Sequence, residues 1–154
     1  MTPQTRSRES ADMPVTRPGE DGAGVQRIEI VPVAKPRMTR RDRWRRRPGV
    51  LAYRAYCDEL RLRRVWVPEC GACVTFVLPM PRSWSQARRR QQVDQPHRCK
   101  PDLDNLVKGL LDALYEDDSC VHDLCARKRW GKKGWLIVAM DGLEQTGQTD
   151  LEER

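Results

Sequence analysis

Apolar and polar positions alternate over Gln26–Val33, with Ile28, Ile30 and Pro32 on one side and Arg27, Glu29 and Val31 on the other. A period of two predicts a half-buried strand. From Val50 to Val65 the period lengthens. Tyr53, Tyr56, Cys57 and Leu60 fall at i, i+3, i+4 and i+7, the single apolar face of a helix. Pro48 and Gly49 mark its start, and Pro68 lies just past its end. Ala72–Met80 (ACVTFVLPM) is a continuous β-branched and apolar run, the mark of a buried strand. Over Asp104–Tyr115 the helical period returns, with Leu106, Leu110, Ala113 and Leu114 on one face and Asp104 as the expected N-cap. Two further strands are expected over Val121–Trp130 and Gly134–Met140, separated by a GKKG turn. Strand, helix, strand, helix, strand, strand predicts an α+β domain with a mixed β-sheet and two main helices.

The segments between these elements are polar. Residues 1–24 are rich in Thr, Pro, Ser, Gly and charge and carry too few large apolar side chains to offset the entropy of ordering. They read as a disordered N-terminal arm, residues 25–144 as one domain, and residues 145–154 as a flexible tail. A length of 154 residues suits a single core. Residues 35–49 contain eight Lys or Arg and one acid, and residues 82–100 form a second basic stretch with Arg88, Arg89 and Arg90 in a row. Both read as long basic loops.

Composition then narrows the function. The formal net charge is +7, which favours a polyanionic partner, nucleic acid being the commonest. The N-terminus has no apolar stretch of the kind a signal peptide needs, and no run is long and apolar enough for a membrane span. The six cysteines are therefore expected to be reduced thiols, and the protein cytoplasmic, without membrane partners.

The chemistry concentrates in KPDLDNLVKGLLDALYEDDSCVHD, residues 100–123. If residues 100–104 are extended, Asp102 and Asp104 point the same way. Lys108 follows Asp104 by one helical turn. Asp117 and Asp118 lie where the chain turns back, so a carboxylate there could return to the first pair. Converging carboxylates repel one another, and Mg²⁺ is the hard cation that would relieve this while keeping coordination positions for water and phosphate oxygens. No His- or Cys-rich shell accompanies them, which argues against Zn²⁺ at this place. Lys108 could orient a water or hold a phosphate. Judged by spacing alone, a structural reading is favoured, because short D-x-D patterns are common: Asp104 a helix cap, Asp102 a turn residue, Lys108 a solvated partner of Asp104 or Asp112, and the Asp pair a polar helix exit.

The block PDLDNLVKGLLDAL at 101–114, followed by EDDS at 116–119, resembles the signature of the RusA family of crossover junction endodeoxyribonucleases. The likeness extends more loosely over about residues 27–142, through the KPR start of the first basic loop, the FVLPMP strand end and the final hairpin. It implies a RusA-like domain that hydrolyses phosphodiester bonds of Holliday junctions in DNA recombination and repair, commonly encoded by phages and prophages. It also implies a homodimer acting on four-way junction DNA with Mg²⁺, or Mn²⁺ in its place. Residue by residue, Asp102, Asp104 and Asp118 match the essential metal-binding and catalytic acids and Lys108 the essential lysine, while Asp117 matches an accessory position. Two equivalent sites on a two-fold enzyme suit two symmetric cuts. The longer N-terminal arm, the richer arginine loops and the cysteines depart from the family pattern and bear on substrate preference.

Beside such a site the basic residues acquire a role. Lys35, Arg37, Arg40, Arg41, Arg43, Arg45, Arg88, Arg89, Arg90 and Lys100 are the DNA-binding candidates. Trp44 and Trp84 could stack on exposed bases. Two other functions compete: a basic nucleic-acid-binding protein without catalysis, and a zinc-stabilised domain built from the Cys70–Cys73 CxxC with Cys99 and His97, or with Cys120 and Cys125. A lone CxxC against an apolar strand favours small buried thiols over zinc. His122, beside the Asp pair, reads as a polar residue at the start of a strand.

Overall fold

The computed structural model describes residues 24–37, 39–43 and 47–140. The expected arm up to residue 23, the tail, and Trp44, Arg45 and Arg46 lie outside these residues, as does the Arg43 side chain. Four strands, β1 (Val25–Glu29), β2 (Ala72–Pro79), β3 (Leu124–Gly131) and β4 (Trp135–Met140), form one sheet in the order β1-β4-β2-β3. β2 runs parallel to β3, and the other pairings are antiparallel. Three α-helices accompany them: α1 (Pro48–Leu62), α2 (Gln86–Gln92) and α3 (Leu103–Leu114). The α+β class with a mixed sheet is as expected.

β2 is central, which explains its unbroken apolar run: Ala72 to Leu78 are all buried. Ala72, Val74, Phe76 and Leu78 belong to the main core with Leu60 of α1 and Leu106 and Leu110 of α3. α1 and α3 are tied through side chains of α1 that reach the α3 backbone: Tyr53 Oη donates to Gly109 O at 3.0 Å, and Arg61 Nε to Ala113 O at 2.8 Å.

Three expectations need correction. First, the last two strands are not a hairpin, because β2 lies between them. The chain leaves β3 and passes the end of β2, where Met80 N donates to Gly131 O at 3.0 Å. A Cβ on Gly131 would sit 2.3 Å from Val77 Cγ1, so only glycine allows this crossing. Second, residues 82–100 are not one loop, since α2 lies within them. It is capped by Ser85, whose hydroxyl accepts from Arg88 N at 3.3 Å. α2 buries no residue of its own, so it leaves no apolar period to read. Third, α3 starts one residue earlier than expected and its N-cap is Asp102, which makes no side-chain cap hydrogen bond. Asp104 stands in the first helical turn, where a carboxylate favours the positive end of the helix dipole.

Candidate active site

Asp104 and Lys108 lie one turn apart on α3, as the spacing required. Beyond α3, Asp118 opens a short 3-10 turn, Asp118–Cys120. Asp117 caps that turn, its carboxylate accepting from Ser119 N at 3.0 Å. The Ser119 hydroxyl first, and then this backbone N–H, hold the Asp117 carboxyl below its ordinary pKa. The two adjacent acids therefore divide their roles. Asp117 is spent on the local turn, and Asp118 reaches the wall of an open groove of about 630 Å³ shared with Asp104 and Lys108. Leu103, Val107 and Leu111 of α3 and Ala126 of β3 supply the apolar part of the wall. The sequence pattern did not single out these four apolar contributors. For the three on α3 the signal is a second stripe at i, i+4 and i+8, beside the core stripe of Leu106, Leu110 and Ala113.

Asp102 is not on that wall. It precedes the helix, exposed, with extended backbone (φ −72°, ψ 146°). Because Asp104 is helical, the strand-like alternation expected of residues 100–104 does not apply to the Asp102–Asp104 pair. Among the described residues no three His, Cys, Asp or Glu side chains stand together as a metal cage. Two carboxylates beside a lysine on an open groove still suit Mg²⁺, which uses one or two carboxylates and fills its shell with water and substrate phosphate.

Asp112, a conceivable partner of Lys108, is ion-paired with Lys35. Lys35 N also donates to Asn105 O at 3.1 Å, so this candidate DNA contact is bound to the back of α3. Asp42, the one acid of the first basic loop, is buried and forked by Arg47, which also donates to Arg37 O at 2.9 Å. Arg47 and the Thr39 N–H lower the Asp42 pKa to about 2. Arg37, Arg40 and Arg41 are exposed around this knot.

In the second basic segment Arg88, Arg90 and Lys100 are exposed, while Arg89 donates to Pro81 O at 3.0 Å. Trp84, half-buried, already has ring partners within the protein. It packs on Trp130 with ring centroids 4.9 Å apart, under the Arg88 guanidinium at 4.1 Å. His97 continues the column, 3.8 Å from Trp130. Burial and the nearby Lys128 charge hold His97 below its ordinary pKa. The six cysteines form no disulfide. Cys73 and Cys125 are register partners on β2 and β3, and Cys70, Cys99 and Cys120 are exposed.

The Endodeoxyribonuclease RusA family profile matches residues 28–141, most of the chain and all of this groove. The chain belongs to the RusA endodeoxyribonuclease family. No curated protein matches it. Membership in RusA makes the groove the candidate nuclease centre and the basic segments the candidate nucleic-acid surface. No helix among the described residues is long and apolar enough to cross a membrane.

Proposed function

We propose that this protein is a Mg²⁺-dependent, structure-selective endodeoxyribonuclease that resolves Holliday junctions by paired phosphodiester hydrolysis. The observation that carries the reading is the meeting of Asp104 and Lys108 from α3 with Asp118 from a separate turn on one open groove, in a RusA-family chain. Asp104 and Asp118 would hold the ion, with Asp102, at the N-cap of the same helix, as the third acid of the set. Mg²⁺, or Mn²⁺ in its place, would lower the pKa of a bound water and screen charge on the phosphate. Lys108 orients the scissile phosphate and stabilises the negative charge that builds on its oxygens as the water oxygen bonds to phosphorus and the P–O bond to the leaving strand breaks. Arg37, Arg40, Arg41, Arg88, Arg90 and Lys100 engage the junction arms through phosphates, which positions the DNA without reading its sequence. A homodimer would supply the two symmetric cuts. Its setting would be recombination and repair of phage or prophage DNA in the bacterial cytoplasm.

The test is cleavage of a synthetic four-way junction with Mg²⁺ and with EDTA, beside linear duplex of the same sequence. Paired, metal-dependent nicks in the junction alone are expected. Tight, salt-sensitive binding with no cutting under any divalent ion would replace the enzyme with a non-catalytic binder.

A further inference from the structure

Lys128 was not among the residues the sequence pointed to, yet it makes a direct polar connection between the sheet and the entry to α3. It lies on β3 between Ala126, on the groove wall, and Trp130, in the aromatic column, and the three share one face of the strand. Its ammonium donates to Cys99 O at 2.6 Å and to Pro101 O at 2.7 Å. Pro101 is the residue before Asp102, the N-cap of α3, whose carbonyl accepts from Leu106 N at 3.2 Å. The same loop is tied twice more: His97 N donates to Lys128 O at 3.0 Å, and Cys99 N to His97 Nδ1 at 3.4 Å.

Asp102 makes no cap hydrogen bond of its own, so the path of the backbone before it determines where its carboxylate stands. We propose that Lys128 is a positioning residue for the nuclease centre: its two charge-assisted hydrogen bonds lock residues 99–101 and thereby fix the backbone entry to Asp102 and to α3, which carries Asp104 and Lys108. This rests on the nuclease reading of the groove. Lys128 itself need touch neither DNA nor metal, since both donated bonds end on backbone carbonyls.

The test compares wild type with Lys128→Met, which keeps the aliphatic stem, Lys128→Gln, which stands in should the Met variant not fold, and Lys128→Arg, which can still donate to both carbonyls. Amide hydrogen exchange at His97, Cys99 and Leu106, whose N–H groups are bonded within and beside this loop, should speed up roughly 10-fold in the Met variant and return close to wild type with Arg. Junction cleavage should fall by roughly 10- to 100-fold with a higher half-saturating Mg²⁺ concentration, as when a group behind a metal ligand is lost, and Arg should restore most of it. Junction affinity in EDTA should stay within about 2-fold, because no phosphate contact is removed. Unchanged loop exchange, or faster exchange with undiminished cleavage, would overturn the proposal. So would lost binding in EDTA that Arg restores without slowing the exchange, because Lys128 would then be a DNA contact. If wild type cuts no junction, the nuclease reading fails separately, and the exchange data still decide whether Lys128 locks the loop.

Discussion

Asp117 and Asp118 are chemically identical neighbours that the fold sends to different tasks. Asp118→Asn should reduce junction cleavage by roughly 10²-fold or more, the scale of losing one preorganised charge at a reacting centre, whereas Asp117→Asn, which loosens only a cap, should cost less than about 10-fold. Steady-state rates on one junction, measured side by side, check this, and equal losses would overturn the division of roles. Asp42 makes a second residue-scale prediction. Its pKa is lowered from 3.8 to about 2 in the fold, so its ion pair stabilises the folded state above about pH 4. That contribution is lost as the pH falls from there through about 2. Thermal melts should show wild type losing more stability than Asp42→Asn across that window, with the two converging at its acid end.

At the scale of elements, the packing of α3 against the strand-exit segment depends on an absent side chain. A Cβ on Gly109 would lie 3.0 Å from Lys35 N and 3.1 Å from Val33 O. Alanine normally favours a helix by about 1 kcal/mol over glycine. Here the crowding should reverse the sign, and Gly109→Ala should destabilise by about 1–3 kcal/mol in denaturant unfolding. α2 shows the opposite case, a helix with no buried face, held by its Ser85 cap and by the Arg88–Trp84–Trp130 column. Trp84→Ala should raise amide exchange across α2 while leaving α1 and α3 protected.

For the whole molecule, the charge distribution governs the encounter with DNA. Junction binding should weaken steeply with salt. Replacing exposed Arg88 and Arg90 together by Ala should lower the slope of log affinity against log salt by up to about 2, near 0.9 for each phosphate that the protein no longer neutralises. An unchanged slope would move the DNA surface away from α2. Arg89, tied to Pro81, should add less to the slope than either neighbour.

The sequence alone determined what depends on local pattern. The β2 run, the α1 and α3 apolar faces, the one-turn spacing of Asp104 and Lys108 and the specific PDLDNLVK block were legible, because period and short-range spacing are written directly in the chain. What depended on distant parts meeting was decided only in the tertiary structure. β2 was inserted between β3 and β4, and α2 formed without an apolar stripe. Trp84 was taken up by Trp130, Lys35 by Asp112, and the loop before Asp102 by Lys128. Each of these pairings joins residues far apart in sequence, where no local period or propensity records the partner.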